Sequence, residues 1–273
     1  MWVDSVPHEL DTVGILRGMM ISMELDLARL APHDVVLVDG SFSSLVIYLN
    51  QGLQNLSSCG AQLADEFLQR WRAGLMDHLL DLLRSDRTVA IPKFTSRNEL
   101  LTSIGSGLAF EADGKTLATF ILNPGEYTRP LSILAPSESY HLLQSTTISD
   151  HRVELVEKAT VAALNAVMQD LRVVYYRPYG WLPAIRLELP GSIASSSTKL
   201  SRALDGVLRQ FFSPAVMEPY PLFLADRMVK SLGSGVAVIE QAVAQQVVAD
   251  ATDIETTMLC LQNYRTEGGR GGT

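Results

Sequence analysis

The sequence predicts an α/β fold in which a mixed β-sheet is flanked by helices, with further helices at the C-terminal end. Short runs of β-branched and other apolar residues alternate with longer segments whose apolar residues recur at helical spacing. Of the 273 residues, 47% are hydrophobic and 19% are charged, which is typical of a packed globular protein with a sizeable core. No internal repeat or long linker is present. We therefore expect one domain over residues 1–265, with its core at 33–250, followed by a Gly-rich disordered tail at 266–273.

The first half of the chain supplies helices and strands in alternation. Residues 12–30 have apolar side chains at helical spacing and end before Pro32, which indicates an N-terminal helix. Two β-branched runs on either side of Asp39 and Gly40 indicate two strands joined by a turn. The elements expected up to residue 101 are a helix at 12–30, strands within 35–49, a long amphipathic helix at 62–84, a strand at 88–92 and a helix opening at Ser96.

The second half predicts a β-hairpin followed by helices. Residues 172–177 and 184–189 read as two strands around a Pro-Tyr-Gly-Trp turn at 178–181. A loop is expected at 192–197. Helical periodicity then predicts helices at 200–212, 221–232 and 235–250.

Composition and motifs exclude several kinds of protein. The net charge is −8, from 22 Lys and Arg against 30 Asp and Glu, so DNA binding by a generally basic surface is not expected. The sequence contains no phosphate-binding loop with Lys-Ser/Thr, no His-Glu-x-x-His motif and no Gly-x-Ser-x-Gly motif. Binding to nucleic acid would therefore have to be local, or depend on a partner.

The N-terminal residues and the cysteines predict a cytoplasmic protein. The first ten residues lack a basic segment followed by an apolar run, and no span of about 18 apolar residues suggests a membrane helix. Cys59 and Cys260 are far apart in the sequence and read best as reduced thiols.

Four carboxylates on separate predicted elements are candidate metal ligands. Asp39 follows a strand, Glu99 begins a helix, Asp113 lies in a Gly-flanked loop, and Asp226 lies on a late helix. Carboxylates that converge can hold two divalent cations, which bind phosphate oxygens and activate water. Asp39 and Glu99 also have structural explanations, which are a turn or capping role for Asp39 and a capping box with Ser96 for Glu99.

Five stretches, taken in order, resemble the NurA nuclease family. They are VDGS at 38–41, IPKFTSRNELL at 91–101, LNPGEYT at 122–128, YR at 176–177 followed by IRLELP at 185–190, and YPLFLAD at 220–226. The resemblance extends over residues 33–245, which is most of the chain. No single motif is specific, but their order and spacing are informative.

The resemblance implies an RNase H-like core and cleavage of DNA from its ends with Mn²⁺ or Mg²⁺. It also implies a homodimer and a hexameric HerA-type translocase as partner. Asp39 matches the first metal-binding aspartate of the family and Glu99 the second acid. We assign Asp113 as the third acid of the family, and Glu111 is the alternative. Asp226 stands where the family has histidine.

The aspartate at position 226 leaves two functions open. As a carboxylate it is a competent ligand for Mg²⁺ or Mn²⁺. However, it would not replace a histidine that transfers protons near neutral pH. The first function is a DNA end-processing nuclease that acts with the translocase in repair or anti-phage defence. The alternative is a catalytically weakened subunit that binds and regulates the translocase. If Asp226 is not a ligand, we expect it to pair with a base such as Lys230.

Charged and aromatic residues near these motifs are candidate DNA contacts, and each also has a structural alternative. Lys93 and Arg97 could neutralise a DNA phosphate beside the metal, or form a salt bridge to Glu99 or Asp86. Arg186 and Glu188 alternate with apolar residues, which favours an internal ion pair. Four aromatic residues could stack on unpaired bases, although packing in the core and hairpin is the favoured explanation: Tyr175, Tyr176, Tyr179 and Trp181.

Overall fold

The computed structural model describes residues 9–57, 61–93, 98–104, 113–133, 142–148, 151–231 and 235. The chain divides into two compact units, residues 1–217 and residues 218–273, and each is described by itself. The expectation of one domain over residues 1–265 stays a prediction. The tail at 266–273 and all of the helix expected at 235–250 except Gly235 lie outside the described residues.

The first unit contains the sheet and most of the described helices. The helices are α1 (Glu9–Leu30), α2 (Phe42–Gln54), α3 (Ala61–Arg70), α4 (Met76–Arg84), α5 (Glu99–Ile104), α6 (Gly114–Ile121), α7 (Lys158–Asp170), α8 (Gly191–Ala194) and α9 (Ser197–Leu208). The strands are β1 (Val36–Asp39), β2 (Thr88–Ile91), β3 (Leu131–Ser132), β4 (Ser145–Ile148), β5 (His151–Glu154), β6 (Arg172–Tyr176) and β7 (Ile185–Leu189).

Within the described residues, five strands form a mixed sheet with the order β1-β2-β7-β6-β3. Strands β1 and β2 are parallel, and the remaining neighbours in this sheet are antiparallel. Strands β4 and β5 form a separate antiparallel pair. The predicted mixed sheet with flanking helices is confirmed, as is the predicted hairpin, which is formed by β6 and β7.

The second strand expected after Asp39 is wrong, because that segment is helix α2. Its large buried apolar residues are Phe42, Leu45, Val46, Leu49 and Leu53, whose spacing follows one face of a helix. A strand would have buried alternate residues instead. The Ser41 side chain accepts a hydrogen bond from the Ser43 backbone N–H at 3.1 Å and so caps the helix N-terminus.

The long helix expected at 62–84 is present but interrupted. Helices α3 and α4 are joined by a π-helical turn, Trp71–Leu75, inside which Gly74 has φ of +100°. This backbone conformation is costly for other residues, so glycine permits the kink. The predicted apolar face is nevertheless buried on both sides of it, including Phe67, Leu75 and Leu79.

The second unit is described through one helix, at 220–231. It begins one residue before the helix expected at 221–232 and continues to residue 231, where the described segment ends. In the part of the chain that the structure describes, no helix has the length and apolar character needed to cross a membrane.

Candidate functional site

Asp39 is the last residue of β1 and lies at the carboxyl end of two parallel strands. It is paired in register with Ile91, the last residue of β2. The next residue, Gly40, has φ of +91° and donates its backbone N–H to the Ile91 carbonyl at 3.3 Å. A positive φ favours glycine, so Gly40 lets the chain turn from β1 into α2. The carboxyl ends of parallel strands are where α/β folds commonly bind ligands.

Charged groups from two other elements lie around Asp39. Lys93 follows β2, and its Nζ is 3.2 Å from Asp39 Oδ2, with the Asp39 side chain 53% exposed. The Lys93 backbone carbonyl accepts a hydrogen bond from Lys115 Nζ on α6 at 2.6 Å. Glu24 on α1 completes the cluster: partial desolvation and the negative charge of Asp39 raise the pKa of its carboxyl. Asp39, Lys93 and Glu24 are called the strand-end cluster below.

Glu99 lies in a different environment, inside a buried ionic network. It begins α5, where the Asn98 side chain accepts the Leu101 N–H at 2.9 Å, and it is only 2% exposed. Arg186 binds both oxygens of Glu99, with Nη2 at 2.6 Å from Oε1 and Nε at 3.3 Å from Oε2. The hydroxyl of Tyr175 donates to Oε2 as well. The two oxygens that the metal prediction requires are therefore hydrogen-bonded to protein groups.

Glu188 is the second acid of this network and joins it to helix α2. Arg186 Nη1 donates to Glu188 Oε1. The Ser41 hydroxyl donates to both Glu188 oxygens, at 3.0 and 3.1 Å, and the Phe42 backbone N–H donates to Oε2 at 2.8 Å. A carboxylate at a helix N-terminus is stabilised by the unpaired N–H groups and the helix dipole. Because Ser41 stands two residues after Asp39, the network fixes the turn that carries Asp39.

The sheet register explains why these side chains meet. Tyr175 on β6 is paired with Arg186 on β7, and Ala90 on β2 is paired with Glu188. Paired residues point to the same face of a sheet, and so do residues two apart on one strand. Tyr175, Arg186 and Glu188 therefore share one face. The predicted Arg186–Glu188 ion pair is confirmed.

The proton affinities of the network follow from burial and charge. Burial alone would raise the pKa of Glu99, but the hydrogen bonds and positive charge of Arg186 outweigh it and lower that pKa. Burial alone would lower the pKa of Arg186, yet Glu99 and Glu188 hold it above its ordinary value. Burial and the hydrogen bond to Glu99 raise the pKa of Tyr175. At neutral pH Glu99 is therefore ionised, Arg186 keeps its positive charge and Tyr175 is a neutral phenol.

The other predicted site residues lie in separate settings. Asp113 caps helix α6: its Oδ1 accepts the Thr116 N–H at 2.9 Å and its Oδ2 accepts the Thr116 hydroxyl at 3.1 Å. In the second unit, Asp226 forms an ion pair with Lys230 at 2.6 Å, which is the partner expected if Asp226 is not a ligand. Arg97 and Glu111 lie outside the described residues.

The structure thus brings Lys93 to Asp39 and links Glu99 to the Asp39 turn through Arg186 and Glu188. No group of three or more His, Cys, Asp or Glu side chains that could hold a metal ion occurs among the residues it describes. Asp86 was one of the two acids suggested as a partner for Lys93. In the structure Asp86 pairs with Lys199 at 2.6 Å.

Sequence reasoning missed three participants in these clusters. Glu24 lies on α1, and no motif connects it with Asp39. The sequence predicts a turn between two strands at Ser41. Leu45 and Leu49 follow it at helical spacing, and a serine in that position is a signal for a helix N-cap. Tyr175 was treated as hairpin packing, and its bond to Glu99 depends on contacts that no local pattern reveals.

Comparisons with known protein families, with curated proteins and with solved structures found no match to this chain.

Proposed function

We propose that this chain is a metal-dependent DNA nuclease of the NurA type, with an RNase H-like core. In this proposal it acts in the cytoplasm as a homodimer and processes DNA ends with a hexameric HerA-type translocase. The observation that carries it is an exposed carboxylate at the carboxyl end of two parallel strands, Asp39, with the Nζ of Lys93 3.2 Å away. The NurA-like motifs at 38–41 and 91–101 contribute these two residues.

The donor chemistry of the strand-end cluster fits Mg²⁺ or Mn²⁺. Asp39 and Glu24 offer carboxylate oxygens, which hard cations prefer. Partial desolvation, and then the charge of Asp39, raise the pKa of Glu24. A bound cation would supply charge stabilisation at the phosphate and an activated water. Lys93 would move from Asp39 to a phosphate oxygen of DNA, so that the cluster exchanges an internal pair for substrate contacts. Glu99, Asp113 and Asp226 stay predicted ligands.

One observation favours the second function, a weakened subunit that binds and regulates the translocase. Both oxygens of Glu99 are bonded to Arg186, and the side chain is buried. For Glu99 to bind a cation, Arg186 would have to release it, at the cost of leaving a buried guanidinium with less compensation. If Glu99 only stabilises the fold, the metal site has fewer ligands than the nuclease mechanism uses.

The test is the substitution Asp39→Asn, assayed on linear DNA with Mn²⁺, with and without a HerA-type ATPase. We expect cleavage to be abolished, because an amide binds divalent cations far more weakly than a carboxylate. The melting temperature should change little, since the lost ion pair is partly exposed. Asp34→Asn is the matched control: it makes the same chemical change at an exposed position two residues before β1.

Three outcomes separate the proposals. Cleavage lost in Asp39→Asn and kept in Asp34→Asn supports the nuclease. Cleavage at the wild-type rate in Asp39→Asn contradicts the role of Asp39. A wild-type protein that stimulates or restrains the ATPase but cleaves nothing with it present supports the regulatory subunit.

A further inference from the structure

Helix α1 is apolar on two opposite faces. One face is packed into the first unit, with Ile15, Ile21 and Leu25 at most 4% exposed. The other face is uncovered, with exposed fractions between 46% and 70% for Leu16, Met20, Met23, Leu27 and Leu30. A surface helix normally presents polar residues to water, and a helix that is apolar all round is normally buried on both sides. The second face of α1 therefore requires a partner.

The exposed residues follow the spacing of a coiled-coil seam. Successive members are separated by four, three, four and three residues, which is the alternation of a and d positions in a heptad repeat. At 100° per residue the five side chains fall within an arc of about 80°. We name this stripe the α1 seam. Its regularity distinguishes it from scattered exposed apolar residues, which are common on protein surfaces.

The charges beside the α1 seam favour a second copy of the same helix running antiparallel. In that arrangement Met20 of one copy packs against Met23 of the other, and Leu16 packs against Leu27. Positions of type e then face each other across the seam, and these are Arg17 and Glu24. Each Arg17 would lie opposite a Glu24, which gives two ion pairs of opposite charge. A parallel pair of helices would not place Glu24 opposite Arg17.

A lipid surface suits the α1 seam less well. Interfacial helices that bind anionic membranes carry mainly Lys and Arg on their polar face. Helix α1 instead has four acids, Glu9, Asp11, Glu24 and Asp26, against Arg17 and Arg29. It would be repelled by such a surface.

We propose that the α1 seam is the contact surface of the homodimer, formed by antiparallel pairing of α1 with α1 of a second copy. The homodimer belongs to the proposed function, and this inference names its interface. Glu24 is both a flanking residue of the seam and a member of the strand-end cluster.

The first experiment measures mass by light scattering during gel filtration over a range of protein concentrations, without DNA or metal. The wild type should approach twice the 29.9 kDa of the chain. Met20→Gln combined with Leu27→Gln should weaken dimerisation by more than about tenfold while keeping the fold, because both side chains are exposed and glutamine is a good helix former. Met228→Gln, at a methionine of similar exposure, is the matched control and should stay dimeric.

The second experiment tests orientation by exchanging charges. Arg17→Glu and Glu24→Arg, each alone, place like charges opposite each other in the antiparallel dimer and should weaken it. The double variant Arg17→Glu, Glu24→Arg restores opposite charges and should recover the dimer.

The outcomes separate this inference from the proposed function. A wild-type dimer that persists in Met20→Gln, Leu27→Gln, or that is lost equally in Met228→Gln, overturns the α1 seam and leaves the homodimer intact. A wild-type monomer at every concentration overturns both. A double charge variant that dimerises no better than the two single variants overturns the antiparallel pairing. Cleavage of DNA enters none of these measurements, so a chain without nuclease activity can still confirm the interface.

Discussion

Asp39 and Glu99 are both acidic, but they lie in opposite environments. The Asp39 side chain is 53% exposed and pairs with Lys93 across 3.2 Å. Glu99 is 2% exposed and is held by Arg186 and Tyr175. A carboxylate at the open end of a strand can exchange a lysine for a cation at little cost, because water compensates both states. A buried carboxylate such as Glu99 cannot bind a cation unless Arg186 moves away from it.

The difference also separates function from stability. Exposed ion pairs typically contribute less than about 1 kcal/mol, whereas removing one partner of a buried pair leaves an uncompensated charge. The strand-end cluster can therefore be altered with little effect on folding. The buried network holds the turn after Asp39 through Ser41 and Phe42, so damage to it reaches both the fold and the cluster.

The largest expected effect comes from Arg186→Ala. This change leaves Glu99 and Glu188 buried without their cation, and we expect the free energy of unfolding to fall by about 3–5 kcal/mol. Urea unfolding at neutral pH measures it. Arg186→Lys keeps the charge but loses the fork that reaches both acids, so its loss should be smaller. Arg152→Ala, which removes an exposed pair with Glu154, is the control and should lose less than about 1 kcal/mol. Equal losses in Arg186→Ala and Arg152→Ala would show that the network is not a stabilising unit.

A smaller effect is expected for Glu99→Gln, and it should depend on pH. Because Arg186 lowers the pKa of Glu99 in the fold, the ionised carboxylate stabilises the protein above the ordinary glutamate pKa, and this contribution disappears as the pH falls through the lowered value. At pH 7 the variant should be less stable by roughly 2 kcal/mol, since a hydrogen-bonded charge is lost. The gap between wild type and variant should begin to close near the ordinary glutamate pKa of about 4.3 and should disappear as the pH falls through the lowered pKa of Glu99.

Thermal unfolding of both proteins across this range is the measurement. Carboxylates that make no contact with Arg186 contribute alike to both proteins, so the difference between them reports on Glu99 and its partners. A gap that is constant or widens on acidification would contradict the lowered pKa.

Much of the fold could be predicted because it depends on local patterns. The hairpin of β6 and β7 follows from two β-branched runs around a turn, and α1 follows from apolar spacing that ends before Pro32. Segment 45–49 misled the prediction because its residues have high β propensity, while the spacing of its buried side chains is helical. Where propensity and periodicity conflict, packing against the core decides.

The candidate site could be predicted only in part, for a related reason. Arg186 and Glu188 were recognised as an internal pair because their alternation is visible in one strand. Arg186 contacts Glu99, which is 87 residues away in the chain, and Glu188 contacts Ser41, which is 147 residues away. Both contacts arise from the order in which the strands pair. Glu99 alone therefore looked like a helix cap or a ligand. Local sequence shows that a charge is buried, and the sheet topology shows what compensates it.

The smallest expected effect on stability concerns Asp226, which tests whether the comparison between exposed and buried acids extends to the second unit. Its side chain is 38% exposed and pairs with Lys230 one helical turn away, so losing the pair should cost less than about 1 kcal/mol. Asp226→Ala and Lys230→Ala remove the same pair, but only the first removes a carboxylate. If Asp226 is a metal ligand, as the sequence predicts, Mn²⁺-dependent cleavage should fall strongly in Asp226→Ala and stay near the wild-type rate in Lys230→Ala, with equally small changes in melting temperature. Cleavage that is unimpaired in both variants would limit Asp226 to its ion pair with Lys230, and cleavage reduced equally in both would assign the effect to the pair rather than to metal binding.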